Sequence, residues 1–197
     1  MPHNALIERI ASAKQFKKTA KIFRKGEAAR HLYRVVEGCV QTYFGSGSDL
    51  VVMGFYYPGD YFGFELRGKF TYSARALAPT RCLAIAKGKL ARLAAAEPSV
   101  ARWLLHTTND ELDRALQHSL LLRQSAEERV ANFLFAMKKR NQNREIKLLM
   151  TRTDMAQYLS LTSESVSRAL ARLQKLRAIS FSTQRTVVVH LRKPLIV

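Results

Sequence analysis

Two cysteines in 197 residues, Cys39 and Cys82, lie too far apart to form a cluster motif, and neither belongs to a C-x-x-C pair. A disulfide-rich framework and a four-cysteine metal or cluster site are thereby excluded. Residues 1–30 contain no cysteine at all. No two histidines stand as His-x-His, so the ligand pattern of a metal-dependent β-roll enzyme is missing, and no catalytic or metal-binding constellation stands out. No apolar run approaches the roughly 18 residues that spanning a bilayer requires. The start of the chain, MPHNALIERIASAKQFKKTAK, lacks the apolar core of a secretory signal. These absences lead to the expectation of a soluble, cytoplasmic protein with no membrane association and with reduced thiols. Cys39 and Cys82 are the candidate redox residues, although burial in strand-like runs would make either inert.

Acidic residues are also scarce, 15 Asp and Glu against 33 Lys and Arg, which leaves a formal charge of +18 and a pI near 10.4. Such an excess favours a polyanionic partner. The 47% hydrophobic content is ample for real cores in one or two domains.

Along the chain, residues 1–15 read as a short helix, with Ala5, Leu6, Ile10 and Ala13 roughly on one face. From Phe16 to Lys87 seven short β-like runs alternate with turn signals such as Lys25-Gly26-Glu27, Gly45-Ser46-Gly47-Ser48 and Pro58-Gly59-Asp60, a pattern that predicts an antiparallel β-roll. Lys89–Glu97 reads as a helix that Pro98 interrupts, and 99–125, free of Gly and Pro, as one long helix. On it Leu105, Thr108, Leu112, Ala115, Ser119 and Leu122 recur near a 3.5-residue period, which suggests pairing with a second copy of the chain.

Ser125 and Glu128 form a capping box ahead of a helix carrying Val130, Phe133, Leu134 and Met137. A polar loop, 141–144, and a short extended run, 146–149, follow. Met150–Lys175 then reads as two helices joined by a tight turn at Ser160-Leu161, the first capped by Thr151 with Asp154, the second by Thr162. In the second helix Val166, Ala169, Leu170 and Leu173 form a buried stripe, while Glu164, Ser167, Arg168, Arg172 and Lys175 fall mostly on other faces. A carboxylate accepts from cytosine N4 and an arginine grips guanine O6 and N7, so this surface suits a DNA major groove. Ile179–Ser182 and Thr186–Leu191, split by Thr183-Gln184-Arg185, make a terminal hairpin. The result is a winged helix-turn-helix. The expected fold is α+β, divided into a β-roll (1–97), a dimerisation helix (98–125) and a DNA-binding domain (126–197).

From about Phe16 to Arg192 the order of parts and several strings resemble the CRP–FNR family of bacterial transcription regulators. The most specific string is TRTDMAQYLSLTSESVSRALARLQK, similar to the family's helix-turn-helix motif, supported by FRKGEAARHLYRVVEGCVQTY, GFYYPGDYFGFE and SAEERVANFLF. The resemblance implies a homodimer that binds palindromic double-stranded promoter DNA, contacts RNA polymerase and more often activates than represses. Glu164, Ser167 and Arg168 match the Glu-x-x-Ser-Arg pattern of the FNR branch, which implies a TTGA-N6-TCAA-like site with half-sites one helical turn apart, about 34 Å. Ser163 stands where the cAMP-responsive branch has arginine. By residue type, Arg168 is expected to donate to guanine or a phosphate, Glu164 to accept from base amino groups and Ser167 to pack on a thymine methyl. Arg152, Thr162, Ser163, Arg172, Lys175 and Arg185 complete the expected DNA-contacting set, with the arginines and Lys175 on phosphates.

The sensing half departs from the family's nucleotide binders. Where these carry Gly-Glu and then Arg-Ser for the cyclic phosphate, this chain has Gly63-Phe64-Glu65 and Tyr72-Ser73-Ala74. An anionic phosphate would lack its guanidinium. Cyclic nucleotide is not expected, and neither is the iron–sulfur centre of the FNR branch, whose N-terminal cysteines are missing. His3, His31, His106 and His118 leave haem as a minor alternative. The pattern is closest to the FixK-like branch, for which no small-molecule site is implied, so no cofactor is expected. The competing functions are a haem- or redox-gated regulator of the same fold, a cupin-type enzyme, which the histidine spacing disfavours, and a non-specific architectural DNA-binding protein, which leaves Glu164 unexplained.

Overall fold

The computed structural model describes residues 2–65, 68–141 and 145–194. The chain forms two compact units, 1–114 and 115–197.

In the first unit helix α1 (Pro2–Ile10) leads into strands β1 (Ala11–Phe16), β2 (Lys21–Phe23), β3 (His31–Glu37), β4 (Val40–Phe44), β5 (Val51–Tyr56), β6 (Tyr61–Phe62), β7 (Ser73–Ala76) and β8 (Thr80–Ala86), then helices α2 (Lys87–Ala96) and α3 (Pro98–Leu121). The strands make two four-stranded sheets, in the orders β1-β8-β3-β6 and β2-β7-β4-β5, and every pairing is antiparallel. The roll expected from sequence is present, with eight strands in place of seven. The additional one corrects the reading of residues 1–15 as a helix. Helical hydrogen bonding stops at Ile10, and Ala11–Phe16 pairs along β8 from Ala11↔Ile85 to Phe16↔Thr80. Past Ile10 the residues Ser12, Ala13, Lys14 and Gln15 have no apolar face to bury against a helix neighbour, whereas β8 offers an unpaired row of backbone groups that this segment satisfies.

Tight turns depend on two glycines in particular. Gly38, at φ +87°, joins β3 to β4, and a Cβ there would fall 2.4 Å from Thr80 Oγ1 and 2.5 Å from the Pro79 carbonyl. Gly59 takes φ +97° in the Pro58-Gly59-Asp60 turn, where the Asp60 carboxylate accepts from the Tyr57 amide at 2.7 Å.

Between the sheets the roll is filled by rings. Phe23 stacks on Phe70 at 3.6 Å between centroids, Tyr33 on Phe62 at 5.2 Å, and Tyr72 meets Phe23 edge-on at 5.6 Å. Tyr56, Val35, Val40, Ala74, Cys82 and Ala84 complete this core. A second cluster, Ile7, Leu32, Ile85, Leu90 and Val100, seals α1, α2 and the start of α3 against the other face of the first sheet.

The second unit holds the last turns of α3, then α4 (Ala126–Asn141), β9 (Glu145–Lys147), α5 (Arg152–Leu159), α6 (Ser163–Lys175), β10 (Ile179–Thr183) and β11 (Thr186–Val189). α3 ends at Leu121, four residues short of the sequence reading, in tightened turns such as Arg123 N–H to the Leu120 carbonyl at 3.1 Å. The Ser125–Glu128 capping box forms, with the Glu128 carboxylate accepting from the Ser125 amide at 2.8 Å. The wing is three-stranded, in the order β10-β11-β9, because β9 pairs Ile146 with Val187. Residues 142–144 of the expected polar loop lie outside the described residues. No described helix is long and apolar enough to cross a membrane.

Candidate nucleic-acid interface

Local chemistry sets the helix-turn-helix. Thr151 caps α5 by accepting from the Asp154 amide at 3.0 Å, and the Asp154 carboxylate accepts in return from the Thr151 amide at 2.9 Å and hydroxyl at 2.6 Å. Asp154 is buried, and this reciprocal pairing satisfies two otherwise orphaned amides at the helix start. α5 closes on Ser160, held in the left-handed region at φ 52°, and Leu161 N–H returns to the Ala156 carbonyl at 2.9 Å. Thr162 then caps α6 through the Ser165 amide at 3.0 Å.

α6 is sharply two-faced. Val166, Ala169, Leu170 and Leu173 are buried, while Ser163, Glu164, Arg168, Arg172 and Lys175 are exposed. Glu164 and Arg168 sit one turn apart, 3.4 Å between Oε1 and Nη1, with side chains 76% and 71% exposed. An exposed pair of this kind is weak, so both ends remain available to a ligand. Ser167 lies between them and donates to the Ser163 carbonyl at 2.9 Å. The structure thus brings Ser163, Glu164, Ser167 and Arg168 onto the first two turns of one helix.

The remaining expected contacts are placed differently from one another. Arg152, at the start of α5, donates to Ser167 Oγ at 3.1 Å, joining the same patch. Thr162 is occupied in capping. Arg185 stands exposed at the wing tip and Lys175 at the end of α6. Arg172 is held by Glu127 of α4, with Nε 2.8 Å from Oε2.

Three supporting residues had no local sequence signal. Arg129 of α4 donates to the Leu159 carbonyl at 3.0 Å and the Ser160 carbonyl at 3.3 Å, fixing the turn between α5 and α6. His118 lies flat on Tyr158 at 4.1 Å, with Nε2 2.7 Å from the Tyr158 carbonyl. Glu127 anchors Arg172. Each depends on helices meeting in space, which no spacing along the chain encodes.

On α3 the expected pairing stripe is exposed at Leu105, Thr108, Leu112, Ala115 and Ser119, and half-buried at Leu122. Leu116 and Leu120 extend it, at 53% and 56% exposed.

In the roll, Tyr72 turns its hydroxyl to accept from the Gly63 amide at 3.2 Å. Burial among the rings pushes that phenol well above its ordinary pKa. Glu65 accepts from Thr71 Oγ1 at 2.9 Å, and its carbonyl takes Lys87 Nζ at 2.6 Å. Arg114 of α3 meets Asp60 at 3.2 Å and Glu111 at 3.4 Å, with Tyr56 donating to Glu111 at 2.5 Å. Cys39 and Cys82 are fully buried, and burial pushes the Cys82 thiol up to about 12, which leaves it without reactive thiolate. His31 is half-buried beside Tyr33, His106 is exposed, and the His3 side chain lies outside the described residues.

Comparison with known proteins agrees with this architecture. Residues 128–195 match the Crp-like helix-turn-helix domain, and residues 13–97 match the cyclic nucleotide-binding domain. The chain is 34% identical over 189 residues to the nitrogen fixation regulation protein FixK of Azorhizobium caulinodans, covering 91% of this chain and 76% of that one. It is 33% identical over 180 residues to the anaerobic regulatory protein of Haemophilus influenzae, covering 87% and 70%. The solved structure of FixK2 from Bradyrhizobium japonicum superposes with a TM-score of 0.86 at 35% identity, over 93% of this chain and 94% of that one. The two-faced recognition helix, its wing and the roll before them therefore belong to a regulator and not to an enzyme: this chain is a member of the CRP–FNR family of DNA-binding transcription regulators.

Proposed function

We propose that the protein binds, as a homodimer, a TTGA-N6-TCAA-like promoter palindrome and activates transcription there through contact with RNA polymerase in the cytoplasm. The observation that carries this reading is the exposed cluster of Glu164, Ser167 and Arg168 on α6, opposite a fully buried stripe. Arg168 is assigned to guanine, Glu164 to a base amino group and Ser167 to a thymine methyl. Arg152, Ser163, Thr162, Lys175 and Arg185 border that cluster, and Arg172 reaches a phosphate beyond its Glu127 partner. Homodimerisation rests on the leucines that α3 leaves exposed, since a stripe of this length is not stable in water without a partner.

The sensor half works without cyclic nucleotide, iron–sulfur cluster or haem. In support, the roll interior is packed with aromatic rings, and Tyr72 stands in the place of a phosphate-binding arginine.

The deciding experiment is a binding titration at fixed salt with the palindrome and with a scrambled duplex. Arg168→Ala should cost roughly 1–3 kcal/mol on the palindrome and little on the scrambled duplex. Equal losses on both would assign Arg168 to the phosphate backbone and remove the sequence-reading role. A visible absorption band in the purified protein would overturn the cofactor-free reading.

A further inference from the structure

Near its C-terminal end α3 carries two different surfaces. Leu116 and Leu120 are exposed, on the stripe assigned to a second copy of the chain. His118 stands two residues from each of them, which at 3.6 residues per turn is roughly 200° around the helix. It is half-buried. Its ring lies flat on Tyr158 of α5, with 4.1 Å between centroids and 9° between planes, and Nε2 is 2.7 Å from the Tyr158 carbonyl. A carbonyl only accepts, so Nε2 carries the proton and donates.

The carbonyl concerned belongs to the turn that projects the recognition helix. α5 ends at Leu159, and the last carbonyls of a helix have no partner within it. The Ala156 carbonyl takes the Ser160 and Leu161 amides. The Tyr158 carbonyl takes His118, and those of Leu159 and Ser160 take Arg129 of α4. Arg129 donates in addition, through Nε, to the Gln124 carbonyl in the turn after α3, at 2.8 Å. Capping one carbonyl does not by itself require His118, since water reaches a half-buried residue such as Tyr158. Water cannot supply the stacked ring, and Arg129 ties the turn to α4 and not to α3. His118 joins the turn to the helix that bears Leu116 and Leu120.

We infer that His118 is a positioning residue that fixes the spacing of the two half-sites. In a dimer, the separation and rotation of the two reading heads depend on how each is held to its helix at the two-fold axis. One base pair added between half-sites displaces one of them by about 3.4 Å and turns it by roughly 35°. A head pinned to α3 by a hydrogen bond and a flat ring must break both to follow that displacement. A head joined to α3 only through the chain between Leu121 and Ala126 can follow it. The inference rests on the dimeric, palindrome-binding reading given above, and the test keeps the two apart.

The full chain is titrated at fixed salt on TTGA-N6-TCAA, on the same palindrome with the spacer one base pair shorter or longer, and on a duplex with a single half-site. The wild type should prefer the N6 spacer by roughly tenfold or more, the order that one hydrogen bond and one ring pair supply. His118→Ala should bind the three spacers within about threefold of one another, by weakening on N6 alone, because the contacts that resist the displacement are gone. Its half-site binding, and its dimer in sedimentation equilibrium, should match the wild type. His118→Phe keeps a flat ring and His118→Gln a donor, so each should retain part of the preference. An unchanged N6 preference in His118→Ala overturns the proposal and leaves the head held by Arg129. Equal wild-type binding to the three spacers overturns it as well. A parallel loss of half-site binding by all three variants makes His118 a structural residue of the helix-turn-helix and overturns it too. Failure of the operator reading shows separately, as wild-type binding to the N6 palindrome no tighter than to a scrambled duplex, and removes the proposal with it.

Discussion

Arg152 and Ser167 are joined across the two helices of the reading head, guanidinium to hydroxyl at 3.1 Å, though they stand fifteen residues apart. Ser167 also donates to the carbonyl of Ser163, so its one hydroxyl proton is committed within the protein. Arg152→Lys keeps the charge and loses the fork geometry. It should weaken palindrome binding by about 0.5–1.5 kcal/mol, the range for one such hydrogen bond. Scrambled DNA should be bound as before, and a titration against both duplexes would show a purely electrostatic role as no change on either.

Glu164 is the one carboxylate on the exposed face of α6. Near a phosphate backbone it repels, and a base amino group would offset that repulsion where the exposed Arg168 pair does so only weakly. Glu164→Ala should lower palindrome affinity by about 1–3 kcal/mol and raise affinity for scrambled DNA, narrowing discrimination from both directions. Tighter binding to both duplexes would show that Glu164 reads nothing.

Thr151 and Asp154 cap the N-terminal end of α5 reciprocally, on a helix of only eight residues. Thr151→Ala removes one half of that exchange and should destabilise the second unit by about 1 kcal/mol in urea unfolding. Ser125→Ala, at the more exposed box preceding α4, gives a useful comparison within the same unit.

Glu111 faces Tyr56 and Arg114, and burial raises its carboxyl pKa against the lowering effects of the Tyr56 hydrogen bond and the Arg114 guanidinium. A carboxyl raised in the folded state takes up protons more readily there than in the unfolded chain. Its contribution is therefore greatest below the unfolded value of 4.5 and is lost as pH rises through the raised folded value. The stability of the wild type relative to Glu111→Gln should fall across that window and level off above it. Urea midpoints from pH 4 to 7 would measure the trend, and a flat difference would show that Arg114 and Tyr56 compensate burial in full.

Leu112 and Leu116 are among the most exposed apolar residues of α3. Changing both to Glu should leave the single chain folded, since neither side chain is in its core, and should give a monomer by sedimentation equilibrium. Palindrome binding should collapse to the half-site level. A dimer that persists would place the interface elsewhere.

Much of the reading head was legible in the sequence because its determinants are local. Thr151 with Asp154, Thr162, and the spacing of Val166, Ala169, Leu170 and Leu173 each act within one or two helical turns, so the chain order itself encodes them. The N-terminal strand was not legible. Ala11–Phe16 has little β-branched content, and its reason to be extended lies some seventy residues later, in the unpaired edge of β8. β9 likewise becomes a strand of the wing only by pairing with Thr186, Val187 and Val188 of β11.

Sequence alone determined the capped helix pair, the turn-punctuated strands, the charge and the family, because those follow from hydrogen bonding and apolar periodicity over a few residues. Tertiary structure decided which side chains meet. Arg152 reaches Ser167, Glu127 holds Arg172, His118 lies on Tyr158, and the Tyr72 hydroxyl accepts from the Gly63 amide. Those contacts join residues from separate elements, so they exist only once burial of the two cores has brought the elements together.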